Sequence, residues 1–179
     1  MIHYSSPSTL DINTLALHPR HPERAWVVVE QRKGEPQRFA YDPVARMFVV
    51  TEWRSLLHVR GFRGVYGWIG GTGIPPDPHF DVLLYTDSDP QPGAILDGAI
   101  CGVFFRGDGD HKFLTVDDAW AGRMAKIDLS ALPAEVIAEL NNLYPRFDPT
   151  RGEGWFGADV AVAHLRDNHP GLDVGALLR

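Results

Sequence analysis

Cysteine is nearly missing from this chain. Cys101 is the only one among 179 residues, so no internal disulfide can form and a reducing compartment fits. Long apolar runs are missing too: no window approaches the roughly 20 apolar residues needed to span a bilayer. The stretch from Met1 to Arg24 is polar and broken by Pro7, Pro19 and Pro22, so no secretory segment is expected and a cytoplasmic setting is. There is no excess of positive charge. Lys and Arg number 17 against 23 Asp and Glu, a net charge of −6, which argues against a general nucleic-acid binder. It leaves room for a local cationic pocket that takes phosphate. No internal repeat and no low-complexity tract is present.

What is there fits a soluble globular protein, with 44% hydrophobic and 22% charged residues. The length predicts one domain with a full core, here residues 25–179, behind an irregular leader over residues 1–24. Short β-rich runs recur at Trp26–Glu30, Gln37–Tyr41, Met47–Val50, Asp81–Tyr85, Ala99–Phe105 and Lys112–Val116, separated by turn residues such as Gln91-Pro92-Gly93. The second run is expected to pair with the first across Gly34-Glu35-Pro36. Helical period comes late. From Pro133, Val136, Ile137, Leu140 and Leu143 fall at three- and four-residue spacing, and a second helix is expected over Ala158–Asp167. Pro170-Gly171 would end it, with a short closing element over Leu172–Leu178. The reading is α+β but mainly β, a closed barrel followed by helices.

The chemistry concentrates in two acidic turns. Asp77-Pro78-His79-Phe80-Asp81 places two carboxylates beside an apolar strand, a way to present hard oxygen ligands to a divalent cation. Asp108-Gly109-Asp110-His111-Lys112 is the second, and its Asp110 and Lys112 share a strand face. Each has a plainer reading. Asp-Pro starts turns, Asp-Gly-Asp is a hairpin signal, and Glu30 with Arg38 suits a surface pair worth under about 1 kcal/mol. Tyr66, Trp68 and Trp155 suit a core, and Cys101 reads as buried rather than nucleophilic. His79 suits a structural role, or a ligand favouring Mn²⁺, Co²⁺ or Zn²⁺ over Mg²⁺. His111 reads as an outward-facing strand residue.

Taken in order, Val27-Val28-Val29-Glu30, Tyr66-Gly67-Trp68-Ile69, Asp77-Pro78…Asp81-Val82, Gln91-Pro92-Gly93, Cys101-Gly102-Val103, Asp110-His111-Lys112, Leu132-Pro133 and Gly154-Trp155 resemble the soluble (family I) inorganic pyrophosphatases, over roughly residues 26–168. That resemblance implies a five-stranded OB-type barrel with C-terminal helices packed on it, and commonly a homo-oligomer. It implies Mg²⁺ held by Asp77, Asp81, Asp108, Asp110 and Glu30, with His79 standing in for a missing ligand. It assigns catalysis to Asp77, Asp81 and Asp110, with Asp77 as general base. Arg38, Arg54, Tyr66, Lys112, Tyr144 and Arg146 would bind a small phosphorylated substrate. The chain departs from the family pattern Asp-x-Asp-Pro-x-Asp-Val: its first aspartate falls on Pro75, and one residue is inserted before Asp81. A family glutamate falls on Ala40, a lysine on Arg38, a tyrosine on Phe62, and the lysine after Tyr144 on Pro145. The expected activity is metal-dependent hydrolysis of pyrophosphate or a related phosphoanhydride. The alternative is the same fold with hydrolysis lost or turned to another substrate or binding role.

Overall fold

The computed structural model describes residues 10–168. Eight strands and four α-helices follow in chain order: β1 (Arg24–Gln31), β2 (Gln37–Asp42), β3 (Met47–Arg54), α1 (Leu56–Arg60), β4 (Val65–Ile69), β5 (Asp81–Tyr85), β6 (Ile95–Phe105), β7 (Lys112–Val116), α2 (Asp118–Ala121), α3 (Ala134–Leu143), β8 (Gly154–Gly157) and α4 (Ala158–Asp167). The main sheet runs β1-β4-β5-β7-β6-β8, and β1 also pairs with β6, which closes the first five strands into a mixed barrel. Only β5 and β7 are parallel, in the register Asp81↔Lys112 through Tyr85↔Val116. The barrel with helices behind it is therefore the fold the sequence predicted.

The strands are buried on both faces because helices cover the barrel. Val82, Leu84 and Phe113 pack in a cluster with Ala161 and Leu165 of α4. Their strand neighbours Leu83, Tyr85, Leu114 and Val116 turn the other way, toward Val136, Leu140 and Leu143 of α3. Cys101 lies in this second cluster, and burial pushes its thiol up to about 12, so it carries no nucleophile.

Several sequence expectations need correcting. β2 does not pair with β1 but with β3, as a separate two-stranded hairpin. Both edges of β1 are taken by β4 and β6, and every β1 residue except Trp26 is buried, so no edge is left for β2. The hairpin is held instead by side chains: Gln31 Nε2 donates to the Gln37 carbonyl (3.0 Å) and Gln31 Oε1 accepts from the Phe39 N–H (2.9 Å). Pro133 is the cap before α3 rather than its first residue. The single-turn helices α1 and α2 carry no readable period, though Ser55 and Asp117 cap them. The four residues of β8 form a strand that the sequence reading did not expect. Among its described residues the leader has one short turn, Ile12–Thr14, and buries Leu15 against Val28 and Trp68. The expected Pro170-Gly171 stop and closing element lie outside the described residues.

Gly67 shows how tightly β4 lies on β1. A Cβ there would fall 1.8 Å from the Val28 carbonyl oxygen, next to the bulge between Val29 and Gln31. Gly67→Ala must therefore prise the two strands apart. It is expected to cost about 2 kcal/mol or more, a melting point lower by about 5 °C or more in a thermal unfolding scan; an unchanged melting point would contradict this packing.

Candidate functional site

A cavity of about 400 Å³ opens where β5 and β7 begin, walled on one side by the β2–β3 hairpin. Glu30, Arg38, Arg54, Tyr66, His79, Asp81, Arg106, Asp110, Lys112 and Tyr144 line it, with Ser55, Leu56, Leu57 and Pro75. The parallel register sets its centre. Asp81 and Lys112 are each the first residue of their strand and sit opposite one another, so their side chains share a face.

Lys112 is buried with its ammonium between two carboxylates. It donates to Asp81 Oδ2 in a very short contact and to Asp110 Oδ1 at 2.6 Å. Its ammonium also lies 5.8 Å from the centre of the Tyr66 ring. The second oxygen of Asp81 faces His79 Nε2 at 3.1 Å. Burial alone would push the Asp81 carboxyl up. Hydrogen bonds from His79 and Lys112, the Lys112 charge and a hydrogen bond from the Tyr66 hydroxyl outweigh it and hold Asp81 well below the usual carboxylate range. Burial, helped by the Asp81 charge, pushes Tyr66 and Tyr144 above the ordinary tyrosine value, so both stay neutral hydroxyls that can donate. Tyr144 is fixed by stacking on Phe104, ring centres 4.8 Å apart.

Glu30 is buried near the end of β1 and accepts from the Tyr41 N–H at 3.3 Å. It has no ion-pair partner among the described residues. Burial raises its carboxyl, against a smaller opposing pull from Arg38. Arg38 and Arg54 are exposed and likewise outside any ion pair; Arg38 lies 6.0 Å from the Trp53 ring centre.

The structure brings some of the predicted residues together and not others. Glu30, Arg38, Arg54, Tyr66, His79, Asp81, Asp110, Lys112 and Tyr144 converge on the cavity. Asp77, Asp108 and Arg146 do not line it. Asp77 is exposed because Pro76 and Pro78 flank it, the loop is pinned through Thr72 (its hydroxyl accepting the Phe80 N–H at 3.1 Å), and Gly73 folds onto the Pro78 carbonyl. Asp108 turns to Arg106, accepting at 3.1 and 2.6 Å. Arg146 is exposed in the irregular segment after α3. His111 is half-buried rather than outward, its Nδ1 accepting from the Arg106 N–H at 3.1 Å and its ring 5.2 Å from that of His164. Arg106 is a lining residue that the sequence reading missed. A lone basic residue closing an apolar strand just before an acidic turn was the available signal.

Among the described residues no group of three or more His, Cys, Asp or Glu side chains is placed to hold a metal ion. The donor set gives the reason: Asp81 spends its oxygens on Lys112 and His79, Asp110 faces Lys112 and Arg106, and Asp77 and Asp108 face elsewhere. These residues do not fit a metal ion held by the protein alone.

Comparison with known proteins then places the fold. No protein-family profile matches the chain. An inorganic pyrophosphatase of Haloferax volcanii is 24% identical over 135 residues, 72% of this chain and 73% of that protein. The crystal structure of inorganic pyrophosphatase from Thermus thermophilus superposes with a TM-score of 0.68 at 18% identity, covering 88% of this chain and 95% of that one. One from Neisseria gonorrhoeae gives 0.67 at 23%, covering 87% and 95%. The chain has the inorganic pyrophosphatase fold and resembles proteins of that name at low sequence identity.

The depressed Asp81 carboxyl makes stability depend on acid. A carboxyl lowered on folding stabilises the native state above its unfolded value of about 3.9, and that contribution is lost as pH falls through the folded value. Asp81→Asn leaves Lys112 and His79 facing a neutral group, which is expected to cost about 3–5 kcal/mol at neutral pH. Denaturant titrations from pH 7 to 2 should show that gap shrinking below about pH 4; parallel curves for the two proteins would contradict it.

Proposed function

We propose that this chain hydrolyses inorganic pyrophosphate, or a related phosphoanhydride, in the cavity at the start of β5 and β7. The observation that carries the reading is the convergence of Arg38, Arg54, Arg106 and Lys112 with two neutral tyrosine hydroxyls on a single cavity in a pyrophosphatase-type barrel. Guanidinium forks match phosphate oxygens in pairs, and Lys112 supplies a point charge. Tyr66 and Tyr144 add uncharged donors that stabilise negative charge building on the leaving phosphate without opposing it.

Hydrolysis also needs a base for the attacking water. Of the carboxylates on the cavity, Glu30 alone stands outside any ion pair among the described residues, and its raised proton affinity brings it closer to working pH. We assign it that role in place of Asp77. In such reactions a divalent cation, Mg²⁺ or in its place Mn²⁺, Co²⁺ or Zn²⁺, neutralises phosphate charge; the side chains grip the phosphates and take the proton independently of it. A cytoplasmic setting and assembly into a homo-oligomer belong to the same proposal, the latter supported by exposed Met47, Val50, Trp53 and Val59 on and beside the hairpin.

A second reading has its own observation. Pro75 stands where the resemblance expects an aspartate and Asp77 faces solvent, which favours a barrel that binds a phosphorylated ligand without cleaving it.

Phosphate release from pyrophosphate with Mg²⁺ supplied separates the two. Glu30→Gln is expected to lower kcat by about 10²–10⁴-fold with KM little changed. The wild type should lose activity as pH falls through the raised Glu30 value, because the base must be ionised, and Glu30→Gln should lose that acid limb. Arg38→Ala and Arg54→Ala should act chiefly by raising KM. Absence of release from pyrophosphate, tripolyphosphate and nucleotides with all four metals would leave only the binding reading.

A further inference from the structure

His79 takes the oxygen of Asp81 that Lys112 leaves open. Its Nε2 lies 3.1 Å from Asp81 Oδ1, and its Nδ1 lies 2.7 Å from the backbone carbonyl oxygen of Asp77. Both ring nitrogens therefore face protein oxygens, and the side chain that read as a substitute ligand is turned onto a carboxylate instead of an open ion position.

Lys112 repeats the pattern from the other side. Its ammonium reaches Asp81 and Asp110 together, and Asp110 lies within 3.4 Å of the Arg106 guanidinium as well. A divalent ion placed on these two aspartates would meet a buried like charge at hydrogen-bond distance, with little water to screen it. With Arg38, Arg54 and Arg106 added, four cationic side chains line the cavity against three carboxylates. The balance suits an anion, and two of the arginines are in no ion pair among the described residues and so remain available to it.

We infer that the Lys112 ammonium occupies the cation position between Asp81 and Asp110, with the His79 ring against the remaining oxygen of Asp81, so that this cavity captures a diphosphate anion without a metal ion bound to the protein. The inference rests on the phosphoanhydride reading of the cavity and concerns capture, not turnover. A cation needed for cleavage would then arrive on the phosphates, as Mg²⁺ commonly does, keeping waters and phosphate oxygens as ligands.

The test uses the full chain, Mn²⁺ followed by paramagnetic resonance, and methylenediphosphonate, a non-cleavable diphosphate, followed by calorimetry. Wild type is expected to bind no Mn²⁺ below millimolar concentration, and to bind the analogue in EDTA within tenfold of its affinity in Mg²⁺. Lys112→Gln and His79→Gln should weaken the analogue at least tenfold and give Mn²⁺ binding that wild type lacks, while Lys112→Arg keeps Mn²⁺ out. Far-ultraviolet dichroism confirms that each variant is folded. Micromolar Mn²⁺ binding to wild type alone, or analogue binding that falls more than 100-fold in EDTA, would overturn the inference. An analogue that binds in neither buffer overturns the diphosphate reading, and with it capture; the phosphate-free Mn²⁺ titrations separately decide the cation assignment.

Discussion

A lysine ammonium buried between two aspartates is tolerated only where its charge is met at close range, since bringing such an ion out of water costs several kcal/mol. Lys112 meets that condition through backbone pairing. Parallel pairing of β5 with β7 brings Asp81 and Lys112 opposite each other at the strand starts, and the turn before β7 delivers Asp110 two residues earlier. His79 then takes the remaining oxygen of Asp81. The rest of the site is arranged around this chain of charge. Tyr66 points its hydroxyl at Asp81, Arg106 spans Asp108 and Asp110, and the loop through Pro76 and Pro78 is oriented by the His79 bond to the Asp77 carbonyl.

The same arrangement joins fold to function. The closed barrel supplies rigid strand starts, which hold the cavity floor to a fixed geometry. The β2–β3 hairpin stands outside the barrel ladder, tied to it through Gln31 and Glu30, and it carries Arg38 and Arg54. A fixed floor of paired charges and a less embedded wall of free arginines is a reasonable division of labour for taking up and releasing a polyanion. Glu30 sits at the junction, where a buried carboxyl with raised proton affinity faces the same space.

Much of the fold was legible in the sequence because strand and helix periods are local. Asp81–Tyr85, Lys112–Val116 and Ala158–Asp167 could be bounded from apolar runs and turn residues alone. The pairing of β2 could not, since it depends on β1 having lost both edges to β4 and β6, strands distant in sequence. The site divided along the same line. Residues fixed by strand register, such as Asp81, Lys112, Tyr66 and Glu30, lie where their order along the chain suggested. Two on turns do not: Asp77 and Asp108 matched a pattern by spacing, yet proline geometry and the pull of Arg106 turned them away, while Asp110 and His79 on the same turns reach the cavity. The place of His79 was beyond sequence reasoning altogether, because it follows from which oxygens the folded loop sets beside each ring nitrogen.

The central claim is that side-chain cations, rather than a metal ion held by the protein, organise the carboxylates of this cavity. A crystal structure of the chain with methylenediphosphonate, grown in EDTA, tests it most directly. The account predicts the analogue in the cavity against Arg38, Arg54 and Lys112, with Lys112 still between Asp81 and Asp110 and His79 still on Asp81. An empty cavity in EDTA that fills only when Mn²⁺ is added, with Lys112 displaced and the metal on Asp81 and Asp110, would contradict it.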